Sequence, residues 1–328
     1  MAVSAYRLAA GGLVAGIVLT LLFAFSYVGA LHDPHPTGMA IGVVDARSAA
    51  AVEASGGLFR PRAYPDEARV RAALRRREVL AALVPPRLLV DTAGGYAATQ
   101  YVQFAFTRAQ PRLQVEDVAP LPAGDSRGLT LFYLSIALIF GGYFGATVIT
   151  TLVGPRSPGH RGAALRVSGL VAFALITGFL CAVLVGPILD TVPGHVLEIG
   201  AIGTLVVLAA AMATSALQSV LGIAGTLVAM VAFVIFGNSS AGGAYPGSFV
   251  PGFWRDVGPW LPTGAGLSAL RGEVYFGGAA IGGRLLLLGV YALAGALLTI
   301  GLGWRRGLRI ADDDAATAAA EVATAAAV

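Results

Sequence analysis

The chain is organised around a stretch that separates two long apolar runs: residues 237–278, GNSSAGGAYPGSFVPGFWRDVGPWLPTGAGLSALRGEVYFGG. Its prolines and large aromatic residues are Pro246, Pro251, Pro259, Pro262, Phe249, Phe253, Trp254, Trp260, Tyr275 and Phe276. Proline breaks a helix and forces the residue before it out of the α region. Trp and Tyr favour the membrane–water boundary. We therefore predict short re-entrant or interfacial helices over 238–278 rather than a membrane crossing.

The composition is that of an integral membrane protein. Of the 328 residues, 56% are hydrophobic and only 12% are charged, whereas soluble domains are about a quarter charged. All 22 basic residues are arginine, and the net charge of +4 does not suggest nucleic acid as a partner. The only cysteine, Cys181, lies in an apolar run, which excludes a disulfide framework and a cysteine metal site.

Six apolar segments are long enough, or nearly long enough, to cross a ~30 Å hydrocarbon core. The predicted spans are 8–30 (the first helix, within 1–30), 129–153, 166–187, two helices within 196–237, and 280–303. The two helices within 196–237 are expected to join at a polar hairpin from Thr214-Ser215 to Gln218-Ser219. The five later helices form a membrane domain over 129–304, and a low-complexity tail, 305–328, is expected to be disordered.

The segment 31–128 has dense charge and short apolar groups, which is typical of a small α/β domain. We predict strands at 39–44, 59–64, 79–84, 88–91 and 112–118, and helices at 47–54, from 65–67 onward, and at 96–108 with Tyr101 and Phe104 facing inward. The Pro65-Asp66-Glu67 sequence is a typical helix start, since proline fits the first turn and acidic side chains favour the helix N-terminus.

The arginines indicate which side of the membrane each segment faces. With six spans, Arg7, the basic loop 154–166 and the cluster at 305–309 lie on one side, as the positive-inside rule requires. Both termini are then cytoplasmic in the plasma membrane of a bacterium. The domain 31–128 and the stretch 238–278 are then extracytoplasmic.

Few side chains suggest a chemical site. The residues His32 and His35 have a weak metal-like spacing, and no nucleotide-binding lysine loop or catalytic triad is present. We therefore predict no enzyme activity, no catalytic residue, no bound metal and no bound cofactor. The small-residue pairs Gly12/Gly16 and Gly141-Gly142/Gly145 fit close helix packing.

Charges within the membrane region are costly, and those of the 238–278 stretch are candidates for the outer exit of a transport path. The candidate residues of this exit motif are Pro246, Pro251, Trp254, Arg255, Pro262, Arg271 and Glu273. The alternative interpretation is that these charges are solvated at the boundary, with Arg255–Asp256 or Arg271–Glu273 as ion pairs.

Three passages resemble the ABC type-2 permease superfamily, particularly its phage-infection-protein-like branch. They are the strand Met39–Asp45, the helix-then-strand passage from Pro65 to Pro85, and SAGGAYPGSFVPGFWRDVGPWLPTGAGLSALR at 240–271. The resemblance covers nearly the whole chain and implies a half-size exporter subunit. Such a subunit pairs as a homodimer or with a similar permease and moves an amphipathic or lipid-like substrate outward.

The resemblance also implies a separate cytoplasmic ATP-binding subunit, so that ATP is bound by the partner, with Arg156 and Arg161 as its contacts. Two other functions stay open. One is a non-transporting membrane receptor or scaffold whose outer domain binds a ligand or an envelope partner. The other is a proton-driven half-pump of the resistance–nodulation–division type, against which stands the lack of any acidic residue at mid-depth of a span.

Overall fold

The computed structural model describes the backbone of residues 2–157 and 159–326, and the side chains of residue 6 and of 10–157 and 159–309. The helices are α1 (Ala2–Leu31), α2 (Ala46–Glu53), α3 (Glu67–Arg75), α4 (Tyr96–Ala109), α5 (Thr130–Val153), α6 (Gly159–Val183), α7 (Val196–Leu221), α8 (Ala224–Ala229), α9 (Gly237–Ser240), α10 (Gly252–Val257), α11 (Pro262–Phe276) and α12 (Gly282–Ala326). The strands are β1 (Met39–Val43), β2 (Phe59–Ala63), β3 (Ala81–Val84), β4 (Arg87–Val90) and β5 (Gln114–Asp117).

Among the described residues, five helical segments are long and apolar enough to cross a membrane: Ala10–Leu31, Thr130–Val153, Gly159–Ile188, Val196–Leu221 and Gly282–Arg309. A shorter apolar helix covers Ala224–Ser240. The architecture is therefore that of a polytopic α-helical membrane protein that carries one small α/β domain. The α7 helix lies at the centre of the bundle and packs against α5, α6, α11 and α12.

The α/β domain contains one five-stranded sheet in the order β2-β1-β3-β4-β5. The strands β3 and β4 are antiparallel, and the other neighbouring strands are parallel. The central strand β3 is buried at every residue because helices and loops cover both faces of the sheet. One apolar cluster lies on each face, around Ile41 and Leu88 on one side and around Leu74 and Leu89 on the other.

The predicted elements of this domain are present with small shifts. The Asp66 side chain caps α3 by accepting the Arg69 N–H at 2.8 Å, and Asp45 caps α2 by accepting the Ser48 N–H at 2.7 Å. One orientation was wrong: Phe104 is 65% exposed, whereas Tyr101 packs against the core. The buried face of α4 instead carries Ala98, Val102 and Phe106, which repeat at four-residue spacing.

The predicted hairpin at 214–219 was also wrong. These residues lie inside α7, and the helix ends at Leu221, where Gly222 takes a left-handed φ of 66°. The polar side chains pair with other helices instead of turning the chain: Gln218 accepts the Thr150 hydroxyl at 2.5 Å and donates to the Thr226 hydroxyl at 3.1 Å. Buried polar groups need partners, and neighbouring helices provide them here.

Two further boundaries differ from the sequence prediction. The α6 helix begins at Gly159 and not at 166, so that the connection from α5 is only 154–158 and Arg161 lies in the first turn of the helix. The last helix continues to Ala326, across the tail for which we predicted disorder. Alanine-rich sequence has a high intrinsic helix propensity, and this favours the continuation.

Contacts identify the two ends of the bundle. At one end, which we call the arginine end, the Arg306 guanidinium donates to the Ser219 carbonyl, and Gly159 lies against Gly307. At the other end, which we call the domain end, the α/β domain packs against α11 and the chain on both sides of it. The Ala224–Ser240 segment leads from the arginine end, beside Gln218, to the domain end, where Ser240 contacts Gly258.

Candidate functional site

The stretch 238–278 consists of short helices that are separated at prolines, as the sequence predicts. Pro246 precedes a 3₁₀ turn at Gly247–Phe249, Pro251 precedes α10, and Pro262 is the first residue of α11. A proline at a helix start costs no hydrogen bond within the helix, because the first N–H groups of a helix have no partner within it. The prolines thus define where each short helix begins.

Trp254 fixes the stretch to the first helix. Its ring is only 3% exposed and packs against Phe236, Phe253 and Phe25 of α1. Next to this contact, the hydroxyls of Ser26 and Ser239 form a buried hydrogen bond at 2.6 Å. We infer that α1 is held to the rest of the molecule largely through this contact, because most of its other surface is uncovered.

Arg271 is buried on α11 and binds backbone oxygens instead of a carboxylate. Its guanidinium donates to the carbonyls of Gly242 and Gly243 at 2.9 Å each and to that of Gly128 at 3.1 Å. It therefore joins α11, the loop after α9 and the start of α5. The alternative Arg271–Glu273 pair is absent among the described ion pairs, and Glu273 is only half-buried near Gly278.

Asp125 and Tyr275 form a second link at the domain end. The Tyr275 hydroxyl donates to one carboxylate oxygen of Asp125, and the other oxygen accepts the N–H groups of Leu129 at 3.0 Å and Thr130 at 3.1 Å. Asp125 thus satisfies the free N–H groups at the start of α5. Sequence reasoning missed this residue, although an acidic side chain shortly before a long apolar helix is a usable signal.

Asp91 and Arg77 of the α/β domain also lie at the domain end, near Arg271. The Arg77 guanidinium donates to the Ser268 carbonyl of α11 at 3.1 Å and lies 5.5 Å from the ring centre of Phe276. Asp91 follows β4 and is fully buried, and one of its oxygens accepts the Gly94 N–H at 2.7 Å. The other oxygen has no hydrogen-bond partner among the described residues.

Burial raises the pKa of Asp91 to about 7, because the charged carboxylate loses its hydration. The Gly94 N–H lowers this pKa, the nearby Asp117 raises it, and the positive charges of Arg77 and Arg271 lower it. The domain end thus contains a buried group of charges from distant parts of the chain. We call the residues Arg77, Asp91, Asp125, Arg271 and Tyr275 the polar junction. Of these, the sequence analysis named only Arg271 as a candidate site residue, and it named Tyr275 only among the aromatic residues of the stretch 238–278.

The other predicted arginines are on the surface. Arg255 pairs with Asp256 at 3.5 Å, both of them largely exposed, which agrees with one of the two predicted ion pairs. Arg156 and Arg161 are exposed at the arginine end, far from the polar junction. Beside them, the buried Arg166 donates to the carbonyls of Gly154 and Pro155, so that it closes the connection between α5 and α6.

An apolar groove of about 600 Å³ opens on the side of the helical bundle. Its walls are α7, α12 and the segment before α9, and its lining includes Leu217, Leu221, Phe233, Trp260, Tyr291 and Ala294. The Tyr291 hydroxyl donates to the Trp260 carbonyl at 3.2 Å, so that its hydrogen-bonding capacity is used within the protein. The groove therefore offers apolar surface to a hydrocarbon chain, and its volume is that of a ligand site.

No group of three or more His, Cys, Asp or Glu side chains that could hold a metal ion occurs in the described part of the chain. The His32 ring bonds the Val28 carbonyl, and His35 faces Asp33. Comparisons with protein-family models, with curated proteins and with solved structures found no match to this chain.

Proposed function

We propose that the protein is the permease subunit of an ABC type-2 exporter that moves an amphipathic or lipid-like substrate out across the plasma membrane. The observation that carries this proposal is the apolar groove, which runs along α7 and α12 and reaches Trp260 in the 238–278 stretch. A lipid-like molecule needs such a side-open path, because it enters from the bilayer and not from water. The Arg77–Ser268 contact of the polar junction holds the α/β domain to α11, which begins two residues after Trp260.

The proposal includes six membrane crossings, of which Ala224–Ser240 is the sixth. This segment is about 25 Å long as an α-helix, somewhat shorter than the ~30 Å hydrocarbon core. Its contacts at both ends of the bundle support a crossing. The arginine end is then cytoplasmic by the positive-inside rule, and the α/β domain is extracytoplasmic.

Single-cysteine variants test this topology in a Cys181→Ala background. Six crossings predict that a membrane-impermeant maleimide labels intact cells at Ala54→Cys and at Ala280→Cys but not at Ile223→Cys. These three positions are exposed. Five crossings would instead protect Ala280→Cys together with Ile223→Cys, and this result would remove the sixth crossing.

Energy would come from a separate ATP-binding subunit at the arginine end, where Arg156 and Arg161 are exposed. The permease would act as a dimer, and the uncovered apolar surface of α1 could be shared with a second copy or a similar permease. We expect an ATPase to co-purify in mild detergent and the Arg156→Glu/Arg161→Glu variant to lose it. Absence of an ATPase from the purified complex, together with no ATP-dependent transport in vesicles, would refute the exporter function.

The receptor or scaffold function remains a second candidate because one observation favours it. The connection between α5 and α6 is only 154–158, which leaves no room for a separate helix to receive an ATPase. A scaffold predicts that the protein binds an envelope partner and that filling the groove has no effect on its activity in cells. Under the exporter proposal, Ala294→Trp should block transport, whereas Leu293→Trp, on the neighbouring exposed face of α12, should not.

A further inference from the structure

A second cavity adjoins the apolar groove and has the opposite character. It is a cleft of about 620 Å³ between the α/β domain and the 238–278 stretch. The charged side chains of its lining are Arg60, Arg77, Arg255 and Glu78. The Glu78 carboxylate already faces Arg62 at 3.4 Å, so that its charge is compensated outside the cleft. Arg255 likewise pairs with Asp256 at 3.5 Å, so that Arg60 and Arg77 supply the excess positive charge of the cleft.

The cleft and the groove lie on either side of the short 3₁₀ helix Gly258–Trp260. Pro259 lines the cleft, and Trp260, the next residue, lines the groove. Both residues are exposed, and α12 binds their backbone: Arg284 donates to the Pro259 carbonyl at 2.9 Å, and Tyr291 donates to that of Trp260 at 3.2 Å. A molecule with a charged head and an apolar chain can therefore occupy both cavities around this helix.

Arg77 has one unsatisfied donor at the cleft. Its left-handed φ of 58° belongs to the end of α3, where the Arg77 N–H donates to the Leu74 carbonyl and the Glu78 N–H to the Ala73 carbonyl, both at 2.9 Å, as in a common helix C-cap. The Nε atom of Arg77 is buried and has no hydrogen-bond partner among the described residues. A buried donor without a partner is uncommon, and an anionic oxygen in the cleft would supply an acceptor.

The groove is long enough for an acyl chain. Along α12 it runs from Leu287 to Leu298, about 16 Å at 1.5 Å per residue, and on α7 it reaches Leu221 at the arginine end. An acyl chain that starts beside Trp260 would therefore lie along the side of the bundle. Its headgroup would lie at the level of the cleft.

We propose that the cleft and the groove together bind an anionic lipid, whose acidic headgroup contacts Arg60, Arg77 and Arg255 and whose acyl chain lies along α12. The assignment of an anionic lipid as the substrate of the exporter rests on the proposed function. The assignment of a lipid-binding site rests only on the two cavities.

Native mass spectrometry of the delipidated full-length protein tests the site, with dioleoyl phosphatidylglycerol and dioleoyl phosphatidylcholine as probes. We expect the first phosphatidylglycerol to bind at least about tenfold more tightly than phosphatidylcholine, because the cleft carries excess positive charge. The Arg60→Gln/Arg255→Gln variant should lose this preference, and Ala294→Trp should weaken the binding of both lipids. The fold should persist in these variants because the side chains of Arg60, Arg255 and Ala294 are exposed.

Two matched controls separate a defined site from general attraction between arginines and acidic lipids. Arg156→Gln/Arg161→Gln removes the same charge at the opposite end of the bundle, and Leu293→Trp adds the same bulk to α12 outside the groove. Both controls should bind phosphatidylglycerol as the wild type does. Equal losses in a variant and its control, or equal affinity for the two lipids, would overturn the proposal.

The same preparations, reconstituted in vesicles with their ATPase, distinguish this inference from the proposed function. Selective binding of phosphatidylglycerol without ATP-dependent movement of it would keep the site and remove the exporter function. Transport of another amphiphile without any preference for the acidic lipid would keep the exporter and remove the site.

Discussion

Helices α1 and α7 have the same mean hydropathy but opposite positions in the molecule. In the most apolar 18-residue window of each helix, 11% of the residues of α1 are buried, compared with 56% of those of α7. The difference lies in side-chain size and polarity. The α7 helix carries Gly200, Gly203 and the alanines 209–211, together with buried hydroxyl and amide groups, whereas α1 exposes large side chains such as Leu21 and Phe25. Hydropathy thus predicts membrane segments but not which of them is central, and in this structure the central helix is the one with small and polar side chains.

The largest expected effect tests close packing against α7. A Cβ atom at Gly142 of α5 would lie 2.4 Å from the Val207 carbonyl oxygen, whereas one at Gly16 of α1 would meet nothing within 4 Å. We expect Gly142→Leu to abolish folded protein, since a backbone atom cannot move aside, and Gly16→Leu to behave as the wild type. Size-exclusion chromatography in detergent measures this difference, and a monodisperse Gly142→Leu protein would contradict it.

The attachment of α1 through Trp254 can be tested next. Replacement of Trp254 by Ala removes a buried ring, which typically costs about 3–5 kcal/mol. The loss should loosen α1, while Trp260→Ala, at a residue that is 69% exposed, should not. Disulfide formation in a Ser26→Cys/Ser239→Cys protein reports the contact. We expect it to slow strongly with Trp254→Ala only, and equal rates in both variants would show that α1 is held elsewhere.

In the α/β domain, two aspartates repeat the contrast between buried and exposed positions. Burial raises the pKa of Asp91 to about 7, whereas hydrogen bonds from the Ser48 N–H and hydroxyl lower the pKa of the exposed Asp45. Between about pH 4 and pH 7 the folded protein therefore keeps a proton on Asp91 that the unfolded chain releases. Stability is greatest below this window and falls as the pH rises through it, by about 4 kcal/mol at most.

Chemical denaturation from pH 4 to pH 8 measures this dependence. The Asp91→Asn variant should have a flatter stability profile over this range than the wild type. Asp45→Asn should keep the wild-type slope, because Asp45 titrates below the window. A wild-type profile that rises from pH 4 to pH 7 would mean that Asp91 is charged in the folded protein.

The smallest effect concerns the polar side chains of the two helices. Gln218→Ala leaves the hydroxyls of Thr150 and Thr226 without their partner inside the bundle, and we expect a loss of about 1–3 kcal/mol. Thr20 of α1 is exposed and bonds only the Gly16 carbonyl of its own helix, so Thr20→Ala should change stability little. Thermal unfolding in detergent compares the two, and equal shifts would argue against a role for Gln218 in packing.

The candidate site was only partly predictable. The short helices of the Pro-broken stretch 238–278 follow from composition and from the positions of the prolines. The burial of Trp254 and Arg271 does not follow from them. The partners of Arg271 do not follow either, because Gly128, Gly242 and Gly243 offer only backbone oxygens, which carry no mark in a sequence. The small-residue motifs had mixed outcomes: Gly142 and Gly145 lie in close contacts, whereas Gly12 and Gly16 do not.

Local composition and capping are enough to predict the apolar helices, the helix start at Asp66, the breaks at the prolines of 238–278, and the alternation of strands and helices in the small domain. Three features appear only in the folded protein: α7 is the central helix, Gln218 lies inside a helix, and Arg77, Asp91 and Arg271 come together. These features depend on contacts between residues that are far apart in the chain. Their free energy comes from burial and pairing, which no local pattern records.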